Sequence, residues 1–224
     1  MNTHTKMAWL ITGSILMGGA ATATPTVTPK ATPGPTTSQS VAGVGKPAPA
    51  FRLIDTDGNT HSHSDYAGKI IVLEWFGSAC QFSGKDTTKS IHATGRAEAL
   101  QKQLKGIDPT VVYLLIDSTA RRNTKEEVIA ADRAAKKKWK IESPILIDFD
   151  GAVGHAYRAQ TTPHMFVVDA KGVLRYHGAF DTNKRGDTKD NINHVLEAVK
   201  KIKAGQSPSP SQTSPWGCSV KFAP

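Results

Sequence analysis

Cysteine is nearly absent: the 224 residues contain two, Cys80 and Cys218. That excludes a multi-disulfide scaffold and leaves one bridge or two separate thiols. Long apolar runs are missing too. The stretch Met7 to Met17 is too short to span a bilayer comfortably. The chain has no nucleotide-type or flavin-type glycine motif and no internal repeat, so no cofactor is expected. Clustered metal ligands are also lacking: His61, His63 and His164, with Cys80, are conceivable ligands, but no tight His/Cys cluster supports a metal site. Acidic residues are outnumbered, giving a net charge of +9. The basic run Lys136, Lys137, Lys138 and Lys140 has no aromatic interleaving for base stacking. It sits where a helix would end, and cations are favoured there. It reads as a solvated face, and no nucleic-acid partner is expected.

The N-terminus carries an address. A polar start with one lysine, the short apolar stretch and the small residues Gly18 to Ala23 form a secretory signal pattern over residues 1–23. An uncleaved anchor is the alternative; otherwise no membrane span remains after cleavage. Export to the periplasm or outside the cell is compatible with persistent disulfides. Residues 24–44, rich in Thr, Pro, Ser and Ala, read as a linker. The folded domain is expected over 45–205, followed by a tail, 206–224, that carries Cys218.

Within the domain, Ala50 to Ile54, Lys69 to Phe76, Thr110 to Ile116 and Pro144 to Ile147 read as strands. His164 to Asp169 and Val173 to His177 flank Ala170-Lys171-Gly172 at hairpin spacing. Helices are expected over 81–105, Thr124 to Trp139, Gly151 to Arg158 and a final segment carrying Ile192, Val195, Leu196, Val199 and Ile202. Thr124 to Glu127 has the form of a capping box. This alternation predicts an α/β fold with a mixed central sheet and helices on both faces.

Cys80 follows the strand and precedes the expected helix over 81–105. A thiol at a helix N-terminus meets unpaired N–H groups and a positive dipole end, which favour the reactive thiolate. The bland alternative is an inert buried cysteine.

The segment Val72 to Ser83 resembles the active-site strand and following turn of the thioredoxin superfamily, and Thr161-Thr162-Pro163-His164 resembles its cis-proline segment. The nearer resemblance, over residues 44–222, is to exported redoxin proteins grouped with the alkyl hydroperoxide reductase and thiol-specific antioxidant family. These often end in Gly-Cys-Ser-Val-Lys with a terminal aromatic, as residues 217–222 do here. The resemblance implies a thioredoxin-like fold and an oxidoreductase acting on thiols, disulfides or peroxides, with Cys80 as nucleophile. Cys218 is then a resolving thiol, half of a static bridge worth about 5 kcal/mol, or unpaired.

Ser83 stands where a dithiol enzyme would have its second cysteine, so a local disulfide is impossible. It either donates to the thiolate or starts a helix. Gln81 replaces a usual proline. Glu74, six residues before Cys80, matches the superfamily's buried acid; it reads as a general acid or base, or as a strand-end glutamate reaching water. Pro163 is expected cis by resemblance, with the Thr162 backbone pairing an extended substrate; otherwise it is a trans edge residue. With Thr162 and Pro163, Gln81, Phe82 and Ser83 complete the expected substrate surface.

Peroxiredoxins usually have proline seven and threonine three residues before the nucleophile; here these are Leu73 and Gly77. Exchange with a protein thiol or disulfide partner is therefore placed first, a peroxidase acting on small-molecule peroxides second, and a non-enzymatic metal or protein binding module third.

Overall fold

The computed structural model describes residues 41–188 and 190–223. The expected signal segment and most of the linker lie outside them. Among the described residues no helix is long and apolar enough to cross a membrane.

The strands are β1 (Arg52–Asp55), β2 (Thr60–Ser62), β3 (Ile71–Trp75), β4 (Val112–Asp117), β5 (Ile145–Ile147), β6 (Thr161–Thr162), β7 (Met165–Val168), β8 (Leu174–Gly178) and β9 (Cys218–Ser219). The helices are α1 (Arg96–Ile107), α2 (Lys125–Trp139), α3 (Ala152–Tyr157) and α4 (His194–Lys203). Seven strands form one sheet in the order β2-β1-β5-β4-β3-β7-β8. The β3, β4 and β5 strands run parallel, and the flanking pairs are antiparallel. This is the mixed sheet expected from alternating strands and helices.

All five residues of β3 are buried, as a strand covered on both faces requires. Its side chains alternate between two cores. Val72 and Phe76 join Leu100 and Leu104 of α1 and Val195 and Val199 of α4. Ile71, Leu73 and Trp75 join Val153 and Tyr157 of α3 and Phe166 of β7. Thr124 caps α2: its hydroxyl accepts from Glu127 N at 3.2 Å, and Glu127 accepts from Thr124 N at 2.7 Å. At the other end of α2, Lys136 pairs with Asp57 and Lys138 with Asp86. Ile192, expected on the final helix, precedes α4 and is exposed.

Among the described residues, packing includes positions before the expected domain start: Ala42 N donates to Ala156 O at 2.9 Å. The segment expected as a tail lies along the domain. The Thr213 hydroxyl bonds Tyr176 and Ala179 N, and Trp216 Nε1 donates to Asp181 O at 2.7 Å. The Phe222 ring stacks on His155 with centroids 4.2 Å apart. It lies so close to α3 that a Cβ on Gly154 would sit 2.5 Å from it.

Candidate active site

The helix expected over 81–105 forms only from Arg96. Between Cys80 and Gly95 the chain is a series of turns, for three local reasons. Thr87 Oγ1 donates to Gln81 O at 2.5 Å and Ser90 Oγ donates to Ser83 O, bonds that compete with a helical ladder. Gly84 packs directly on the preceding turn, where a Cβ would lie 2.7 Å from Ser78 Cα. Gly95 adopts φ 72°, a left-handed conformation that starts α1 afresh. Cys80 is therefore not at a helix N-terminus, and the dipole argument does not apply to it.

Direct contacts take the dipole's place. Cys80 is 6% exposed. Its Sγ donates to Thr162 O at 2.9 Å and accepts from Phe82 N at 3.4 Å. Thr162 precedes Pro163 across a cis peptide bond. Thr162 is also the ladder partner of Cys218, in an antiparallel pair joining β6 to β9. The two cysteines are neighbours lining one cavity, and both are free. Burial pushes the Cys218 thiol up to about 11, and the hydrogen bond and charge of Cys80 push the same way. The Gln81 backbone N–H and the Lys221 ammonium oppose them. Both sulfurs line one cavity of about 220 Å³, with Thr162, Asp117, Asn123 and Lys221 in its wall.

The remaining expected residues divide. Phe82 lies at the surface beside Lys89 and Lys184, with its ring 6.1 Å from that of Trp216. The Gln81 side chain is exposed. Ser83 is fully buried and turned to the strand: its Oγ donates to Glu74 Oε1 at 3.3 Å and accepts from Gly77 N at 3.4 Å. Glu74 is fully buried and also accepts from His92 Nε2 at 3.0 Å and Tyr113 OH at 2.7 Å. Burial opposes a charge on His92, but the Glu74 carboxylate, helped by Glu98, overrides it and holds the imidazole up at about 9. His92 carried no signal in the sequence, because its partner belongs to a strand distant in the chain.

The other histidines have ordinary partners or stay neutral. His61 bonds Asp55 and Tyr66, and His63 stacks on Phe51. His164 accepts from Gln160 N at 3.2 Å, and burial with the neighbouring His177 holds it down at about 3.

A second polar cluster backs the cavity wall. Asp132 is fully buried, and neither carboxyl oxygen makes a well-formed hydrogen bond; Ser78 and Asp117 are its polar neighbours. Burial pushes Asp117 up to about 6, with Asp148 adding repulsion, and pushes Asp132 well above the usual carboxylate range, with Asp117 adding repulsion.

Comparison with known proteins gives consistent relatives. Thiol-disulfide oxidoreductase ResA of Geobacillus kaustophilus (strain HTA426) is 26% identical over 164 residues, covering 73% of this chain and 82% of that protein. ResA of Geobacillus thermodenitrificans matches to the same extent. Among solved structures, a hypothetical protein from Sinorhizobium meliloti 1021 superposes with TM-score 0.67 at 24% identity, covering 83% of this chain and 97% of its own. An uncharacterized conserved protein from Geobacillus kaustophilus gives TM-score 0.68 at 21% identity, covering 83% and 95%. These two show the fold. The AhpC/TSA family model matches residues 44–177, the seven-stranded sheet except the last residue of β8, with Cys80 and Pro163, and stops short of Cys218. With most of its folded region inside that match, and with the thioredoxin-like α/β architecture it implies, the chain belongs to the AhpC/TSA family.

Proposed function

We propose that this protein is an exported thiol–disulfide oxidoreductase whose working couple is Cys80 and Cys218. One observation carries the reading: β9 sets the Cys218 thiol against Cys80 in the wall of a single cavity. Membership of the family and the likeness to ResA support it.

The roles follow from the surroundings of each sulfur. Burial holds the Cys218 thiol up at about 11, which disfavours it as the attacking thiolate at neutral pH, and the first attack is assigned to Cys80. The Phe82 N–H is placed to receive charge on the Cys80 sulfur. Attack on a disulfide gives a mixed disulfide on Cys80 and releases one thiol. Cys80 then no longer bears the hydrogen and charge that add to burial in holding Cys218 up. Cys218 can ionise and attack the Cys80 sulfur, closing the internal disulfide and releasing the second thiol. Protein thiols are the expected partners that reduce this internal disulfide. Glu74, engaged by His92, Tyr113 and Ser83, anchors the turn that carries Cys80 through the Ser83–Gly77 bond.

The test is intact mass and peptide mapping after treating reduced protein with cystine. Wild type should lose two hydrogens and yield a Cys80–Cys218 cross-linked peptide. Cys218→Ser should stop at a cysteinylated Cys80, and Cys80→Ser should lose turnover. Absence of the cross-link, or a Cys80 that resists alkylation in the reduced fold, overturns the proposal. A hydroperoxidase reading is favoured only by the small cavity, and fast Cys80 sulfenate formation at low peroxide would support it. Export predicts a secreted form beginning at Thr24, which N-terminal sequencing checks.

A further inference from the structure

We propose that residues 217–219 are a tethered substrate strand: they fill the backbone edge along which an extended polypeptide would bring a sulfur to Cys80. Protein partners therefore exchange at Cys218, and only small molecules reach Cys80 directly. This rests on the Cys80–Cys218 couple proposed above.

A strand edge with free N–H and C=O groups invites an added chain. The edge of Thr161–Thr162 is the one beside the Cys80 sulfur, through the bond from Sγ to Thr162 O. It is taken by the chain itself, with Thr161 opposite Ser219 and Thr162 opposite Cys218. Cys218 demonstrates what a strand at that edge does: it lines the same cavity as Cys80.

The segment is held from both sides. Gly217 lies so close to Thr162 that a Cβ would sit 2.2 Å from Thr162 O, and its φ of 148° suits only glycine. Before it, the Trp216 indole donates to Asp181 O. After it, Val220 N donates to Gln160 O at 3.0 Å, and Lys221 O accepts from Ala120 N at 2.8 Å. An outside chain would have to displace all of these contacts. The route left to Cys80 is the cavity of about 220 Å³, smaller than the roughly 300–1,000 Å³ of sites for drug-sized ligands. Cys218, in contrast, is partly exposed.

The chemistry balances with a dithiol protein as reductant. Its thiolate attacks Cys218 Sγ in the internal disulfide. The S–S bond breaks, and Cys80 leaves with the electron pair and takes a proton. The partner's second thiolate attacks its own sulfur in the mixed disulfide, releasing Cys218, which takes a second proton. Two electrons and two protons have moved, and the partner is left as a disulfide.

The test compares two probes carrying the same nitrothiobenzoate-activated disulfide, one on free cysteine and one on a cysteine in a short unstructured peptide. Release of nitrothiobenzoate is followed in the full chain. In Cys218→Ser, Cys80 should react with the peptide probe about tenfold more slowly than with the small probe, since the tail must open first. Adding Gly217→Val should remove most of that difference; if that variant does not fold, Phe222→Ala should reduce it. In Cys80→Ser, Cys218 should accept both probes at similar rates. Equal rates at Cys80 with the tail docked, or a ratio unmoved by displacing the tail, overturn the inference and leave the redox couple standing. A Cys80 that reacts with neither probe defeats both.

Discussion

Replacing Glu74 with Gln tests the buried ion pair under the active-site turn. The Glu74 and His92 side chains have no solvent exposure, and the carboxylate holds the imidazole at about 9 against its ordinary 6.5. At about 1.4 kcal/mol per pH unit that difference is worth about 3 kcal/mol. Removing one partner of a buried pair typically costs about 3–5 kcal/mol. The amide keeps an acceptor for Tyr113, so the ion pair is the main loss. The sign is set by linkage: a folded-state pKa above the unfolded one contributes stability that is full below pH 6.5 and is lost as pH rises through about 9. Urea unfolding of wild type should therefore show stability falling between about pH 7 and 9. Glu74→Gln should be less stable by about 3 kcal/mol at neutral pH and should lack that decline. Its Cys80 alkylation rate should keep the wild-type pH profile, because the carboxylate bonds His92, Tyr113 and Ser83 rather than the sulfur. A loss below about 1 kcal/mol, or identical pH slopes in the two proteins, refutes the ion-pair account. A displaced alkylation profile would instead make Glu74 a proton donor to the thiol chemistry.

His164, held near 3 by burial and by His177, binds a proton more readily when unfolded; stability should fall as pH drops from 6.5 toward 3, and His164→Phe should flatten that fall in melting scans. Asp117, raised to about 6, and Asp132, raised further by burial and by Asp117, oppose stability as pH rises through their folded-state values; Asp132→Asn should be more stable than wild type at pH 8 in urea titrations, and the gain should shrink as pH falls toward about 4. Gly154→Ala places a methyl 2.5 Å from the Phe222 ring and 2.8 Å from Ser118 Oγ. It should cost about 1–3 kcal/mol by thermal melting and speed alkylation of Cys218 as the tail loosens.

The sequence made the sheet legible because its cues were local. The apolar run into Trp75 and the capping box at Thr124 each act within a few residues, and both elements form where expected. The segment after Cys80 misled for a physical reason. Ala93, Ala97, Leu100 and Leu104 keep helical spacing, but Thr87 and Ser90 bind the backbone and Gly84 packs against Ser78. The helix forms only beyond Gly95, and the thiol is served by Thr162 and Phe82 instead of a dipole. The β6–β9 pair was not readable, since two-residue strands far apart in the chain have no periodicity to display. Trp216 and Phe222 were visible as apolar residues in a Ser/Pro-rich stretch, but the grooves that receive them exist only after folding.

The order of the two cysteines along the chain has a consequence for biogenesis. Cys80 is made early and Cys218 on the last strand, yet they meet only across Thr162, whose strand is built after most of the sheet. A partly synthesised or misfolded copy has the first thiol without its mate. On the proposed couple, redox competence waits for residues 217–219 to dock, and a copy in which they have not docked cannot run the two-thiol cycle.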